Sequence, residues 1–325
     1  MRSDMLKPDQ PRANRLDGKA WTRNSISVWS DLRKTPEEAR LKHPALFPAA
    51  LASRLIACFA APGDEVVLDP FAGLGSTLMA AAQAGMQGVG IELSAEFAAI
   101  ARRRLASIQP PFARDGNSAT SGEVAPDNPS PCQGEDQGEG GRSRQSPSPV
   151  PMGIGRTSPC EGEEFEKMAA TIHVADAREL LRFVAPESVD LVITSPPYWD
   201  ILTRRRSADG KAVRNYGDDG ADLGRIAGYD DFLAALAEVF AQVHTALRPG
   251  KYCIAVVMDL RKHGRFYPFH ADLARRLEDL GFIYDDLLIW DRRQEYNRLR
   301  PLGYPAVFRI NKVHEFALIF RKPTV

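Results

Sequence analysis

The 325-residue sequence lacks several features, and each absence excludes a class of protein. No run of 18 apolar residues occurs, so no segment has membrane-spanning length. The first 20 residues are polar and charged, without the apolar stretch of a signal peptide, and a cytoplasmic protein with no membrane partner is expected. Cysteine is scarce. Cys58, Cys132, Cys160 and Cys253 are not spaced as metal ligands or as a disulfide framework, so reduced thiols and no metal site are expected. Net charge is also lacking, at zero, but that figure averages two unlike parts. Residues 114–167 carry ten acids against five bases, which leaves the remainder mildly basic and compatible with a polyanionic partner.

Residues 115–164 lack aromatics and leucine altogether, while 23 of the 50 are Gly, Pro or Ser. Such a stretch cannot bury enough apolar surface to offset its ordering entropy. It also repeats itself imperfectly: Ser130-Pro131-Cys132-Gln133-Gly134-Glu135 returns as Ser158-Pro159-Cys160-Glu161-Gly162-Glu163. The expected organisation is a flexible stretch at 1–20, a cofactor-binding half at 21–109, a disordered low-complexity insertion at 110–168, and a catalytic half at 169–325.

On either side of the insertion, buried-strand and helical patterns alternate. Strands are predicted near 65–69, 87–93, 171–175, 189–194, 252–258, 284–290 and 314–320, with helices near 76–84, 95–105, 178–184, 229–247 and 271–280. Alternation of this kind indicates crossover units, a mainly parallel seven-stranded sheet and helices on both faces. Ligands of such sheets bind beyond the carboxyl ends of the strands.

The polar motifs fall at those ends. The first strand runs into Asp69-Pro70-Phe71-Ala72-Gly73-Leu74-Gly75-Ser76-Thr77. Gly73 and Gly75 allow a tight turn and close approach of a ligand just before a helix N-terminus. The stretch is not a phosphate-binding P-loop, and a dinucleotide fingerprint would place glycine where Leu78 stands. Glu92 closes the second strand, suited to accept from two ribose hydroxyls; Asp176 closes the third, placed to meet an adenine amino group. Acids ending three successive strands point to a nucleoside cofactor.

A fourth strand ends in Thr194-Ser195-Pro196-Pro197-Tyr198. Two prolines remove ladder donors and fix two φ angles, giving a rigid loop. An exocyclic amino group on a base is a poor nucleophile because its lone pair is delocalised into the ring. Acceptors such as the Ser195 hydroxyl and the Pro196 carbonyl can hold its N–H groups and re-aim that lone pair. Tyr198 offers a face on which an extruded base can stack. Beyond this loop lie two basic stretches. One carries Arg204, Arg205, Arg206, Lys211 and Arg214; the other carries Arg292, Arg293, Arg298 and Arg300 among aromatics, and both are candidate DNA contacts. His270 and His314 are read as packing or capping residues, and Asp259-Leu260-Arg261 ends a further strand without an assigned role.

The Asp69–Thr77 and Thr194–Tyr198 motifs together resemble the bacterial and archaeal DNA N4-cytosine/N6-adenine amino-methyltransferases. The likeness covers about 20–108 and 170–322. It implies a Rossmann-like methyltransferase fold, S-adenosyl-L-methionine as cofactor and double-stranded DNA as partner. It further implies that Lys42-His43-Pro44-Ala45-Leu46-Phe47-Pro48 is an additional cofactor motif, with His43, Pro44 and Phe47 contributing. Phe71 would pack near the cofactor, and Asn24 with Ser25 would meet its methionine end. Serine at position 195 is commoner in N4-cytosine enzymes, whereas N6-adenine enzymes more often carry Asp there. Here the cofactor motif precedes the catalytic one, the reverse of many relatives. N6-adenine transfer on DNA, an RNA base amino-methyltransferase and a non-catalytic relic remain as alternatives. Any restriction endonuclease partner would be separately encoded.

Overall fold

The computed structural model describes residues 13–41, 46–108, 170–201, 221–295, 302, 305–307 and 309–324. The low-complexity insertion therefore lies outside the described residues. Three helices come early: α1 (Gly18–Asn24), α2 (Pro36–Arg40) and α3 (Ala49–Phe59), with a short strand β1 (Val28–Trp29) between the first two. Next come β2 (Val66–Asp69), α4 (Ser76–Gln83), β3 (Gln87–Glu92), α5 (Ala95–Ala106), β4 (Ala170–Val174) and β5 (Val189–Thr194). The chain continues through α6 (Tyr229–Ala246), β6 (Leu247–Val257), β7 (Leu260–Lys262), β8 (Arg265–Tyr267), α7 (Phe269–Asp279), β9 (Ile283–Asp291) and β10 (His314–Arg321).

Among the described residues the sheet has eight strands rather than seven, in the order β1-β9-β10-β6-β5-β2-β3-β4. All pairings are parallel except those of β10, which runs antiparallel between β6 and β9. The extra strand, β1, is two residues long, and that length carries no readable periodicity. The β7–β8 hairpin stands apart from the main sheet and was likewise not expected from the sequence.

Both faces of the sheet are covered, and alternation along each strand divides the residues between them. Val192, Cys253, Ala255, Val257, Leu318 and Phe320 point into the layer formed with α6 and α7. Leu191, Ile193, Ile254, Val256, Ala317 and Ile319 point to the opposite layer, with α3 and α4. Helix α6 buries Phe232, Leu236, Val239, Phe240 and Val243, a stripe at helical spacing. Each such side chain contributes roughly 1.5–3 kcal/mol on burial. The helix expected at 178–184 is a 3₁₀ segment, Ala177–Arg182, kinked at Glu179 and capped by Asp176.

Within the stretch 1–20, read from the sequence as flexible, Asn14 is buried and its amide donates to the Cys58 carbonyl at 3.0 Å, while most of residues 13–20 are exposed. Burial pushes the free Cys58 thiol up to about 11, so this cysteine is an apolar filler rather than a nucleophile. Among the described residues, no helix is long and apolar enough to cross a membrane.

Candidate active site

Carboxylates join strands at both edges of the sheet. At the edge where β2 begins, Asp190 of β5 accepts from the amides of Glu65 and Val66 at 2.9 and 3.0 Å. At the carboxyl edge, the fully buried Asp69 accepts from the Thr194 hydroxyl at 2.6 Å and from the Phe71 amide at 3.0 Å. One side chain thereby ties the residue before Ser195 to the glycine loop. Burial pushes Asp69 up to about 6, against the opposing pull of its hydrogen bonds.

The glycine loop takes its shape from backbone freedom at two positions, Gly73 and Gly75, with φ of 52° and 78°. A Cβ on Gly75 would also stand 3.1 Å from that of Ala101. The Gly73 amide donates to Glu92 at 2.8 Å, and the Ser94 amide donates to its other oxygen at 2.8 Å. Burial, with the neighbouring Asp69 and Asp222 charges, pushes Glu92 up to about 7. Among the described residues no cation pairs with it.

These elements line a pocket whose empty space, its open mouth included, is about 760 Å³. Its walls include Phe47, Phe71, Leu74 and Ile91, its polar groups include Ser76, Glu92, Asp176 and Asp222, and Ser195 and Pro197 close one side. The Ser76 hydroxyl is buried and has no hydrogen-bond partner among the described residues. An unsatisfied buried hydroxyl costs about 1–3 kcal/mol, so its place in the wall suits a ligand that completes it.

Several expected residues thus meet: Phe47, Phe71, Gly73, Ser76, Glu92 and Asp176 share one cavity with Ser195 and Pro197. Asp69, Gly75 and Thr77 stand behind the wall and shape it; the Thr77 hydroxyl donates to the Ile193 carbonyl at 3.1 Å. Asp176 also holds Arg178 in a salt bridge at 2.6 Å. The structure does not bring Asn24 or Ser25 to the cavity. They end α1, where the Asn24 amide donates to Ala20 and its carbonyl accepts from the Trp29 indole. His43 and Pro44 lie outside the described residues.

Beside Ser195, Pro196 is buried and Tyr198 is directed inward rather than lining the cavity. The Tyr198 ring lies edge-on to Phe269 at 6.4 Å. Its hydroxyl is 3.1 Å from the Ser195 hydroxyl and 3.0 Å from the Glu315 carboxylate. Burial and the Glu315 charge push the phenol well above its ordinary value, so it stays protonated. Glu315 is itself buried and paired with Arg292, which also binds Glu295 at 2.7 Å. Arg292 was expected to meet DNA; it is instead committed to these two carboxylates. Arg293 is held by Asp291 at 2.6 Å, although most of its side chain is exposed. Arg204, Arg205, Arg206, Lys211, Arg214, Arg298 and Arg300 lie outside the described residues.

Sequence reasoning missed Asp222 and Glu315. A faint signal for Glu315 existed, an acid directly before the apolar run Phe316–Phe320 of its strand. Asp222 offered none; locally it caps the short turn Leu223–Arg225. His270 meets Asp259 at 2.6 Å and stacks on Phe316 at 4.2 Å, a packing role.

The N6/N4 DNA methylase family model matches residues 2–103 and 189–325, most of the chain and both sides of the cavity. The chain belongs to this DNA methylase family. Among curated relatives, the type II methyltransferase M.ScaI of Streptomyces caespitosus is 37% identical over 105 residues, covering 30% of this chain and 34% of that one. The DNA adenine methyltransferase YhdJ of Escherichia coli is 43% identical over 63 residues, 19% of this chain and 21% of its own. The chain thus spans about a third of M.ScaI and a fifth of YhdJ. A DNA modification methylase of Thermus thermophilus, solved with S-adenosyl-L-methionine, is 32% identical, with 46% of this chain and 54% of that one covered and a TM-score of 0.33.

Proposed function

We propose that this DNA methylase family member transfers a methyl group from S-adenosyl-L-methionine to the exocyclic amino group of a base extruded from double-stranded DNA, with cytosine N4 the leading target. The observation that carries the reading is the shared cavity. Glu92 and the unpartnered Ser76 hydroxyl line the same space as Ser195 and Pro197. Apolar walls with a few convergent polar groups fit an adenosine-like ligand.

The methyl donor is S-adenosyl-L-methionine, whose sulfonium supplies an electrophilic methyl and a neutral thioether leaving group. Glu92 would hold its ribose, Asp176 its adenine, and Ser76 a further polar atom, while Phe47 and Phe71 would pack against it.

Hydrogen-bond direction supports an acceptor role for Ser195. The Tyr198 hydroxyl donates to the Glu315 carboxylate at 3.0 Å and toward the Val256 carbonyl at 3.4 Å, both of them acceptors. The single phenolic hydrogen is therefore directed to these acceptors. With that hydrogen used, the arrangement favours the Ser195 hydroxyl as donor to the Tyr198 oxygen 3.1 Å away, its own oxygen being left to accept. A target amino group donates one N–H to Ser195 and the other to the Pro196 carbonyl, and its lone pair turns toward the donor. Glu315 and Tyr198 are positioning residues that fix this polarity. Preorganised dipoles of this kind are effective because they need no reorganisation at the moment of reaction.

Ser195 in place of Asp supports cytosine; the named adenine specificity of YhdJ keeps N6-adenine as the second reading. A separately encoded restriction endonuclease belongs to the same proposal, supported by relatives named as type II methyltransferases. The test is to incubate the chain with labelled donor and duplex DNA, with RNA in parallel, and to resolve the nucleosides by mass spectrometry. N4-methylcytosine is expected. N6-methyladenine would reassign the target, and label confined to RNA would overturn the DNA reading.

A further inference from the structure

The β7–β8 hairpin is the most cationic described element near the catalytic loop. Between Asp259 and Asp272 the sequence holds no acid, while Arg261, Lys262 and Arg265 fall within five positions. A two-residue turn, His263-Gly264, closes the hairpin, with both residues at positive φ of 48° and 80°. That geometry is the tight turn whose twist matches paired strands, so the hairpin is a rigid projection rather than a loose loop.

Its root is clamped to the catalytic loop. The Lys262 ammonium donates to Asp200 at 2.7 Å and sits 3.5 Å from the centre of the Trp199 ring. The Tyr267 ring packs on Trp199 at 5.2 Å. Trp199 and Asp200 directly follow Tyr198, so the root of the hairpin packs on the segment that continues the Ser195 loop.

Its outer face is different. Arg261 is paired across the strands with Phe266, and both point away from Leu260, which is buried. Phe266 is 38% exposed, with Arg261 and Lys312 over its ring at 5.9 and 4.8 Å. A single exposed Phe is ordinary. An exposed ring bracketed by two cations, on a rigid hairpin fixed to a catalytic loop, is the combination that nucleic-acid surfaces use: cations for phosphates and a flat face for bases.

We infer that the β7–β8 hairpin grips the DNA flanking the target base, with Arg261 and Arg265 on the phosphate backbone and Phe266 against a base or sugar beside the extruded nucleotide. This inference rests on the DNA reading above. Because Lys262 holds the hairpin to Asp200, the grip would also fix where the Ser195 loop meets the strand.

Equilibrium binding to a duplex across a series of salt concentrations tests it. Each phosphate contact contributes about 0.9 to the slope of log affinity against log salt. The double variant Arg261→Ala/Arg265→Ala should therefore flatten the slope by about 2, with donor affinity unchanged. Phe266→Ala should weaken binding by roughly tenfold and leave the slope alone. All three side chains are exposed, and unchanged thermal unfolding would show that the variants fold. A wild-type slope retained in the double variant would overturn the hairpin contact while leaving the DNA reading in place. Wild-type protein that binds no duplex at all would overturn both.

Discussion

Two buried glutamates flank the same active-site region, and they are neutralised in opposite ways. Glu315 has a built-in cation, Arg292, and a phenol that points at it. Among the described residues Glu92 meets two backbone amides and no cation, lies near Asp69 and Asp222, and is pushed up to about 7. The first is a finished structural unit that sets hydrogen-bond direction at Ser195. The second is incomplete by itself and suits a ligand that brings donors or positive charge. The contrast separates a half that binds the donor from a half that orients the acceptor.

The largest expected effect comes from breaking the finished unit. Arg292→Ala leaves Glu315 buried without its cation, and removing one partner of a buried pair costs about 3–5 kcal/mol. Thermal unfolding should record a marked fall in Tm, much of it recovered when Glu315→Gln is added. A fall no larger than that of a surface substitution would deny Glu315 its dependence on Arg292.

Next in size is loss of the acceptor. Ser195→Ala should lower kcat by about 10²–10³, the usual cost of removing one preorganised polar contact. Tyr198→Phe leaves Ser195 present but free to rotate, and a smaller loss of kcat with KM for donor unchanged is expected. Equal losses in both variants would mean that Tyr198 does more than set direction.

Glu92 gives a pH-dependent signature. A carboxylate raised above its unfolded value favours the protonated folded state. Its contribution to stability is therefore present at low pH and is lost as pH rises through about 7. Donor binding runs the other way, because the ionised form accepts ribose hydroxyls best. Affinity should rise several-fold between pH of about 6 and 8, with proton release measurable by calorimetry in two buffers. Glu92→Gln should remove both trends; if it leaves them intact, another group titrates. The smallest effect concerns packing: Gly90→Ala places a Cβ 2.8 Å from that of Ala72, and roughly 1–3 kcal/mol of destabilisation is expected from chemical denaturation.

The two halves were not equally legible in the sequence. The glycine loop and Glu92 are local features, a strand followed by small residues and an acid at a strand end, and sequence preserves such order. The Ser195 loop was legible for the same reason. Glu315 was not, because its partners Tyr198 and Arg292 come from 117 and 23 positions away and meet only through the antiparallel insertion of β10 between β6 and β9. The basic hairpin escaped notice because its strands are three residues each, too short for period-two alternation to register. The pairing of Arg292, read from the sequence as a DNA contact, was hidden for a like reason: a cation in a basic run reads as surface until the fold buries a carboxylate beside it.

The most direct test of the division of labour is to measure donor affinity and single-turnover methyl transfer side by side in wild type and Ser195→Ala. The account predicts that donor affinity holds while transfer to duplex DNA falls by about two to three orders of magnitude. Transfer that persists near the wild-type rate would contradict it, and would place the amino-group acceptor somewhere other than Ser195.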